Sequence, residues 1–122
     1  MKPLNHARGS VKRYGGTVED YLEIHTFIDS PKGAMCDVRH RAILHNSFGP
    51  FMLEKAFGYY ITNSDGKKIS VRQIVEDHIV EDLGRVPSVE EWLGELPHRD
   101  WMDVRSAYKS KKKMSWEDFN VD

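Results

Sequence analysis

The sequence predicts a mainly α-helical fold, a compact bundle of about four helices with one small β-hairpin. Three observations carry this. Apolar residues recur at helical spacing over Val18–Ile28, Val38–Ala56 and Val71–Ile79. Capping signatures open three helices: Thr17 with Asp20, Ser70 with Gln73, and Ser88 with Glu91. One run of turn formers, Asn63-Ser64-Asp65-Gly66, separates two short β-prone stretches.

Taken in order, residues 1–16 read as an irregular basic arm ended by Gly15-Gly16. A helix follows from Thr17 to about Asp29, with a stripe of Val18, Tyr21, Leu22, His25 and Ile28, and Ser30-Pro31 stops it. The longest helical pattern runs from about Ala34 to Phe57, and Gly49-Pro50 kinks or divides it. Its two histidines, His40 and His45, lie about 140° apart around the axis. The hairpin pairs residues 59–62 with 67–69. The NSDG turn lacks the remaining ligand positions of an EF-hand, so it reads as a turn. The next helix starts at Ser70, carries Val71, Ile74, Val75, His78, Ile79 and Asp82 on one side, and ends at Gly84. A short helix after Pro87 is anchored by Trp92 and Leu93. Trp101 and Met102 read as the last core anchor. The domain plan is thus a basic arm (1–16), a helical domain (17–102) and a charged, aromatic tail (103–122).

A chain of 122 residues suits one domain with a single core. No apolar run reaches the roughly 18–20 residues of a membrane span. The first residues lack the apolar segment of a secretory signal. Cys36 is the only cysteine. These features predict a cytoplasmic setting without disulfides. The net charge of −1 is unevenly spread. Lys2, Arg8, Lys12 and Arg13 sit in an acid-free start, and Arg105, Lys109, Lys111, Lys112 and Lys113 in an acid-free stretch near the end. The body between is acidic. Basic ends suit either solvation or nucleic-acid contact.

The chemistry concentrates in a repeated pattern. His25 and His78 each lie on a core-facing stripe with an aspartate four residues on, Asp29 and Asp82. Residues at i and i+4 share a helix face, so each pair offers two donors in one direction. With His45 they form a candidate site for zinc, manganese or iron, since imidazole and carboxylate suit these ions. His40, Glu76 and Glu81 are reserves. Arg39, Arg41 and Lys32 are candidates to hold a phosphate or carboxylate beside the metal. The competing reading makes each His/Asp pair a polar core contact. No CxxC, HExxH, Walker or GxSxG motif is present.

The runs YLEIHTFIDSPK, RHRAILHNSFG, FGYYITNSDGKKISVR and EDHIVEDLGRVPSVEEWL, closed by WM, resemble a small family of bacteria and their phages with no established function. The resemblance covers about residues 6–102. It implies that His25, Asp29, Lys32, Arg39, His40, Arg41, His45, Asn63, Asp65, Gly66, His78, Glu81 and Asp82 travel together, which favours a site over scattered contacts. Relatives often read HH where this chain has His45-Asn46, and many end near WM.

The functional expectation is a divalent-metal-binding protein, with hydrolysis of a phosphate-containing substrate as its extension. The rival is an accessory protein that binds a host protein through its tail, by Lys111, Lys112, Lys113, Trp116 and Phe119. Nucleic-acid binding through the basic ends is a third reading.

Overall fold

The computed structural model describes residues 1–103. Among them are six α-helices and one antiparallel hairpin: α1 (Pro3–Tyr14), α2 (Val18–Ile28), α3 (Arg41–Leu44), α4 (Gly49–Phe57), β1 (Tyr60–Thr62), β2 (Lys68–Ser70), α5 (Val71–Leu83) and α6 (Val89–Leu93). Short 3₁₀ turns lie at Ser30–Gly33, Val38–His40 and Asp100–Met102. The mainly α fold with a small hairpin is as the sequence predicts. No helix among these residues is long and apolar enough to cross a membrane.

The core is built from Ala7, Tyr21, Ile24, Ile28, Leu44, Leu53, Ile69, Val71, Ile74, Val75 and Ile79. Asp20 accepts from the Thr17 N–H at 2.7 Å, and Ser70 and Ser88 accept from Gln73 and Glu91 N–H groups at 3.2 and 3.1 Å. These caps place the starts of α2, α5 and α6 where the sequence puts them. Gly84 ends α5 with a left-handed φ of 82°.

The hairpin aligns Tyr60 with Ser70 and Thr62 with Lys68. Asn63 fastens it to the helices. Its Oδ1 accepts from the Asp65 and Lys67 N–H groups, while its Nδ2 donates to the Tyr14 carbonyl and the Tyr21 hydroxyl. Asp20 accepts from the Ser64 main chain and hydroxyl. A lone hairpin is marginal, and these bonds dock it at the α1–α2 junction.

Three expectations change. Residues 1–16 are not an irregular arm. Pro3 opens a 12-residue helix, Gly15 closes it, and His6, Ala7 and Ser10 form its buried face. That face is small and polar, so it carries little apolar periodicity to read. α1 meets α5 closely at Gly9, where a Cβ would lie 2.8 Å from the end of the Glu81 side chain. The long central helix is divided, as expected, but the break begins after Leu44, Gly49-Pro50 opens α4, and residues 34–40 are turn and 3₁₀ rather than α-helix. His45 leaves helical geometry with ψ 61°, and Asn46 takes over both broken ends. Its Nδ2 donates to the Ala42 and Ile43 carbonyls, and its Oδ1 accepts from the Phe48 and Gly49 N–H groups. Val38, counted in that apolar helical pattern, is exposed. Trp101 is 76% exposed and Met102 and Leu93 are also exposed, so none anchors the core. Trp92 does anchor α6: its indole N–H donates to the His45 carbonyl at 2.9 Å.

Candidate metal centre

Four histidines from four segments meet in the interior, all fully buried: His6 of α1, His25 of α2, His45 of the α3–α4 break and His78 of α5. Each is delivered by an element whose ends the sequence fixes. His25 and His78 ride the apolar stripes of α2 and α5. His45 is held by the Trp92 bond to its carbonyl and by the Asn46 turn beside it. Two carboxylates join them. Asp29 is the C-cap of α2, and Asp82 lies one turn beyond His78 on α5.

Two donor groups form among the described residues. In the first, Asp29, His45, His78 and Asp82 present ligand atoms all within 4.8 Å of one another. His45 Nε2 lies 2.9 Å from Asp82 Oδ2 and 3.6 Å from Asp29 Oδ1. His78 Nε2 lies 3.1 Å from Asp29 Oδ1 and 3.3 Å from Asp82 Oδ2. A tetrahedral shell with bonds of about 2.0–2.1 Å separates neighbouring donors by about 3.3 Å. The observed separations bracket that value. The second group is His6, His25 and His78.

His25 stands behind the first group. Its Nδ1 lies 2.8 Å from His78 Nδ1, and its Nε2 lies 2.8 Å from the buried Ser10 hydroxyl. If His78 uses Nε2 toward an ion, its proton sits on Nδ1 and is donated to His25 Nδ1. His25 then carries its own proton on Nε2 and donates it to Ser10. One consistent set of tautomers runs through all three residues.

The electrostatics match this donor set. Burial pushes the Asp82 carboxyl up, but the close approach of His45, His6, His78 and the Met1 N-terminal ammonium overcomes it and holds the group far below the usual range. Burial also works against Asp29, and the His78 bond wins, keeping it ionised. Burial and the fields of His78 and His6 push His25 down to about 3. Burial likewise lowers His45 despite its bond to Asp82. His78 goes the other way. Burial lowers it, yet the Asp29 and Asp82 bonds raise it above the ordinary value. The ionised carboxylates and the neutral His45 are protonation states that metal binding needs, whereas His78 would have to give up the proton that Asp29 and Asp82 favour on it.

Asp29 and Asp82 line a cleft of about 500 Å³, whose walls also include Met1, Lys2, Thr26, Lys32, His40 and Arg41, while His45 and His78 lie buried behind them. Arg41 Nη2 is 3.9 Å from Asp82 Oδ1, and its buried Nε has no hydrogen-bond partner among the described residues. Lys32 and Arg41 therefore stand beside the centre. Arg39 does not. It is exposed and forks onto Asp37, with Nε and Nη2 2.8–3.1 Å from the two carboxylate oxygens. His40 donates from Nδ1 to the Asp37 carbonyl and meets His45 edge-on at 6.0 Å. Glu81 joins through His6, and Glu76 belongs to neither donor group. Lys111, Lys112, Lys113, Trp116 and Phe119 lie outside the described residues.

His6 and Ser10 are the site residues that sequence reasoning missed. Their signal was present, since His6, Ala7, Ser10, Val11 and Tyr14 recur at helical spacing after Pro3. A family model described as a domain of unknown function (DUF6915) matches residues 1–102. Comparison with curated proteins and with solved structures found no match.

Proposed function

We infer that this chain, which belongs to the DUF6915 family, is a divalent-metal-binding protein with a phosphate-containing substrate. Asp29, His45, His78 and Asp82 are the ligands. The observation that carries the reading is the spacing of their four donor atoms, 2.9–3.6 Å across the measured His–Asp pairs. Two imidazoles and two carboxylates suit zinc, manganese or iron.

The cleft supports the substrate class. Lys2, Lys32 and Arg41 give its walls positive charge directly beside the floor carboxylates. A guanidinium with a free Nε matches a phosphate oxygen pair. When bound, the ion supplies Lewis acidity that activates water and polarises the phosphoryl group. In hydrolysis the water oxygen would join phosphorus and the P–O bond to the leaving alcohol would break, the alcohol departing with a proton from that water. Arg41 and Lys32 orient the phosphate, and the buried wall behind His78 keeps bulk water from the ligand side.

The test is elemental analysis of untagged protein after incubation with zinc, manganese and ferrous ions. At least one ion per chain is expected, and H78A or D29N should lose it. Protein that stays metal-free under all three conditions overturns the reading. For loaded protein, p-nitrophenyl phosphate and bis-p-nitrophenyl phosphate test the substrate class. R41A should raise KM while leaving metal content unchanged.

A further inference from the structure

We propose that the centre is dinuclear, with a second divalent ion held by His6 Nε2 and Asp82 Oδ1, and Asp82 bridging the two ions. The proposal rests on the metal-binding reading above and adds a site that sequence patterns did not mark.

Asp82 divides its two oxygens between different partners. Oδ2 faces His45 Nε2 at 2.9 Å and His78 Nε2 at 3.3 Å. Oδ1 faces His6 Nε2 at 3.2 Å. Each oxygen thus has its own imidazole nitrogen at the spacing of two ligands on one ion, about 3.0–3.4 Å for bonds near 2.1 Å.

His6 is oriented for this role. Its Nδ1 lies 2.6 Å from Glu81 Oε1, and Arg13 grips the other Glu81 oxygen at 2.6 Å. The Glu81 carboxylate accepts the Nδ1 proton, which leaves a lone pair on Nε2. A histidine whose far N–H is held by a carboxylate is the usual arrangement of a metal ligand. That Nε2 is buried and makes no hydrogen bond among the described residues. With His6 neutral, its Nε2 lone pair faces the carboxylate oxygen at 3.2 Å, a buried opposition that a cation shared by both atoms would relieve. Oδ1 also receives the Met1 main-chain nitrogen at 2.9 Å, and Arg41 stands 3.9 Å away, but neither contact satisfies Nε2.

Packing brings the two subsites together. The His6 ring stacks on His78 with centroids 3.6 Å apart and planes 20° from parallel. Both rings therefore present a nitrogen to the same carboxylate from adjacent layers. Asp82 lines the cleft, so the ligands that His6 and Asp82 do not supply would enter from that side.

The experiment is a manganese titration of the chelator-stripped full chain, followed by metal analysis and electron paramagnetic resonance. Wild type should bind two ions per chain and show an exchange-coupled spectrum. H6Q should bind one, with an uncoupled spectrum. E81Q keeps the imidazole but frees its Nδ1 proton, and should weaken the second site by about 10–100-fold. If H6Q does not fold, E81Q and the wild-type spectrum decide. One ion per chain in wild type, unchanged by H6Q, overturns the second site and leaves the mononuclear reading standing. Two uncoupled ions unaffected by either variant also overturn it. No bound manganese, zinc or iron in wild type overturns both readings.

Discussion

Gly49→Ala tests how the His45 turn is built. A Cβ at position 49 would lie 2.0 Å from the Leu44 carbonyl oxygen and 3.0 Å from its carbon, whereas ordinary contact begins near 3.4 Å. The obstacle is backbone, so no side chain can rotate away. Relief needs a shift of about 1.4 Å in the peptide that precedes His45. The same peptide group lies next to the Asn46 bonds, whose Oδ1 accepts from Phe48 and Gly49 N–H at 2.8 and 3.0 Å. Overpacking of this kind costs about 1–3 kcal/mol. Alanine returns at most about 1 kcal/mol of helix propensity. The net expectation is a loss of about 1–2 kcal/mol, or roughly 5–15 °C in Tm. The assay is urea unfolding with chelator present, followed by metal affinity. Affinity should fall at least about tenfold, because ligand positions tolerate only about 0.2 Å. Gly33→Ala is the control, since nothing lies within 4 Å of a Cβ there. It should change stability by less than about 0.5 kcal/mol. G49A as stable as G33A would refute the account of the turn.

Three further expectations follow from the same contacts. Chelator-treated protein should lose stability as pH falls from about 6.5 toward 3, because His25 and His45 are held neutral in the fold but protonate in the unfolded chain. Each such group contributes a slope of up to about 1.4 kcal/mol per pH unit, while His78, raised in the fold, contributes the opposite sign and loses stability as pH rises through its folded value. Urea midpoints from pH 4 to 8 check this, and a curve flat below pH 6.5 contradicts it. Asn63→Ala should cost about 2–4 kcal/mol by removing two hydrogen bonds that dock the hairpin and two that close its turn, read by thermal unfolding. Ser10→Ala leaves His25 Nε2 without its partner and should cost about 1–3 kcal/mol and weaken metal binding about tenfold with unchanged stoichiometry, measured by calorimetric titration.

Much of the fold was legible because local chemistry and tertiary structure agree. Thr17, Ser70 and Ser88 mark helix starts with short-range hydrogen bonds that do not depend on distant packing. The stripes of α2 and α5 are strongly apolar, so they reveal both their helices and the histidines upon them. The same logic brought out His25, Asp29, His78 and Asp82 as one pattern. What was hidden depends on contacts across the chain. α1 buries only His6, Ala7 and Ser10, and its helix is held by partners on α2 and α5. The break at His45 is written in one side chain, Asn46, whose four bonds form only once both flanking turns are in place. Arg39 and Arg41 look alike in sequence, and their different fates follow from Asp37 standing two residues from Arg39. Trp101 and Met102 have core-like identities but no surface to cover.

Asp29 and His78 stand 49 residues apart, and His45 and Asp82 stand 37 apart, while only His78 and Asp82 are neighbours along one helix. An unfolded chain therefore offers an ion two donors at most. The folded chain offers four, and the difference in affinity adds to folding as RT ln(1 + [L]/Kd). On the metal-binding reading, the ion would act as a removable cross-link that closes two long loops at once, in the manner of a disulfide that a chelator can undo. With the link closed, the slowest-exchanging amides of α2, the His45 turn and α5 should open only together, as one cooperative unit. With it stripped, they should separate into individual steps of local opening.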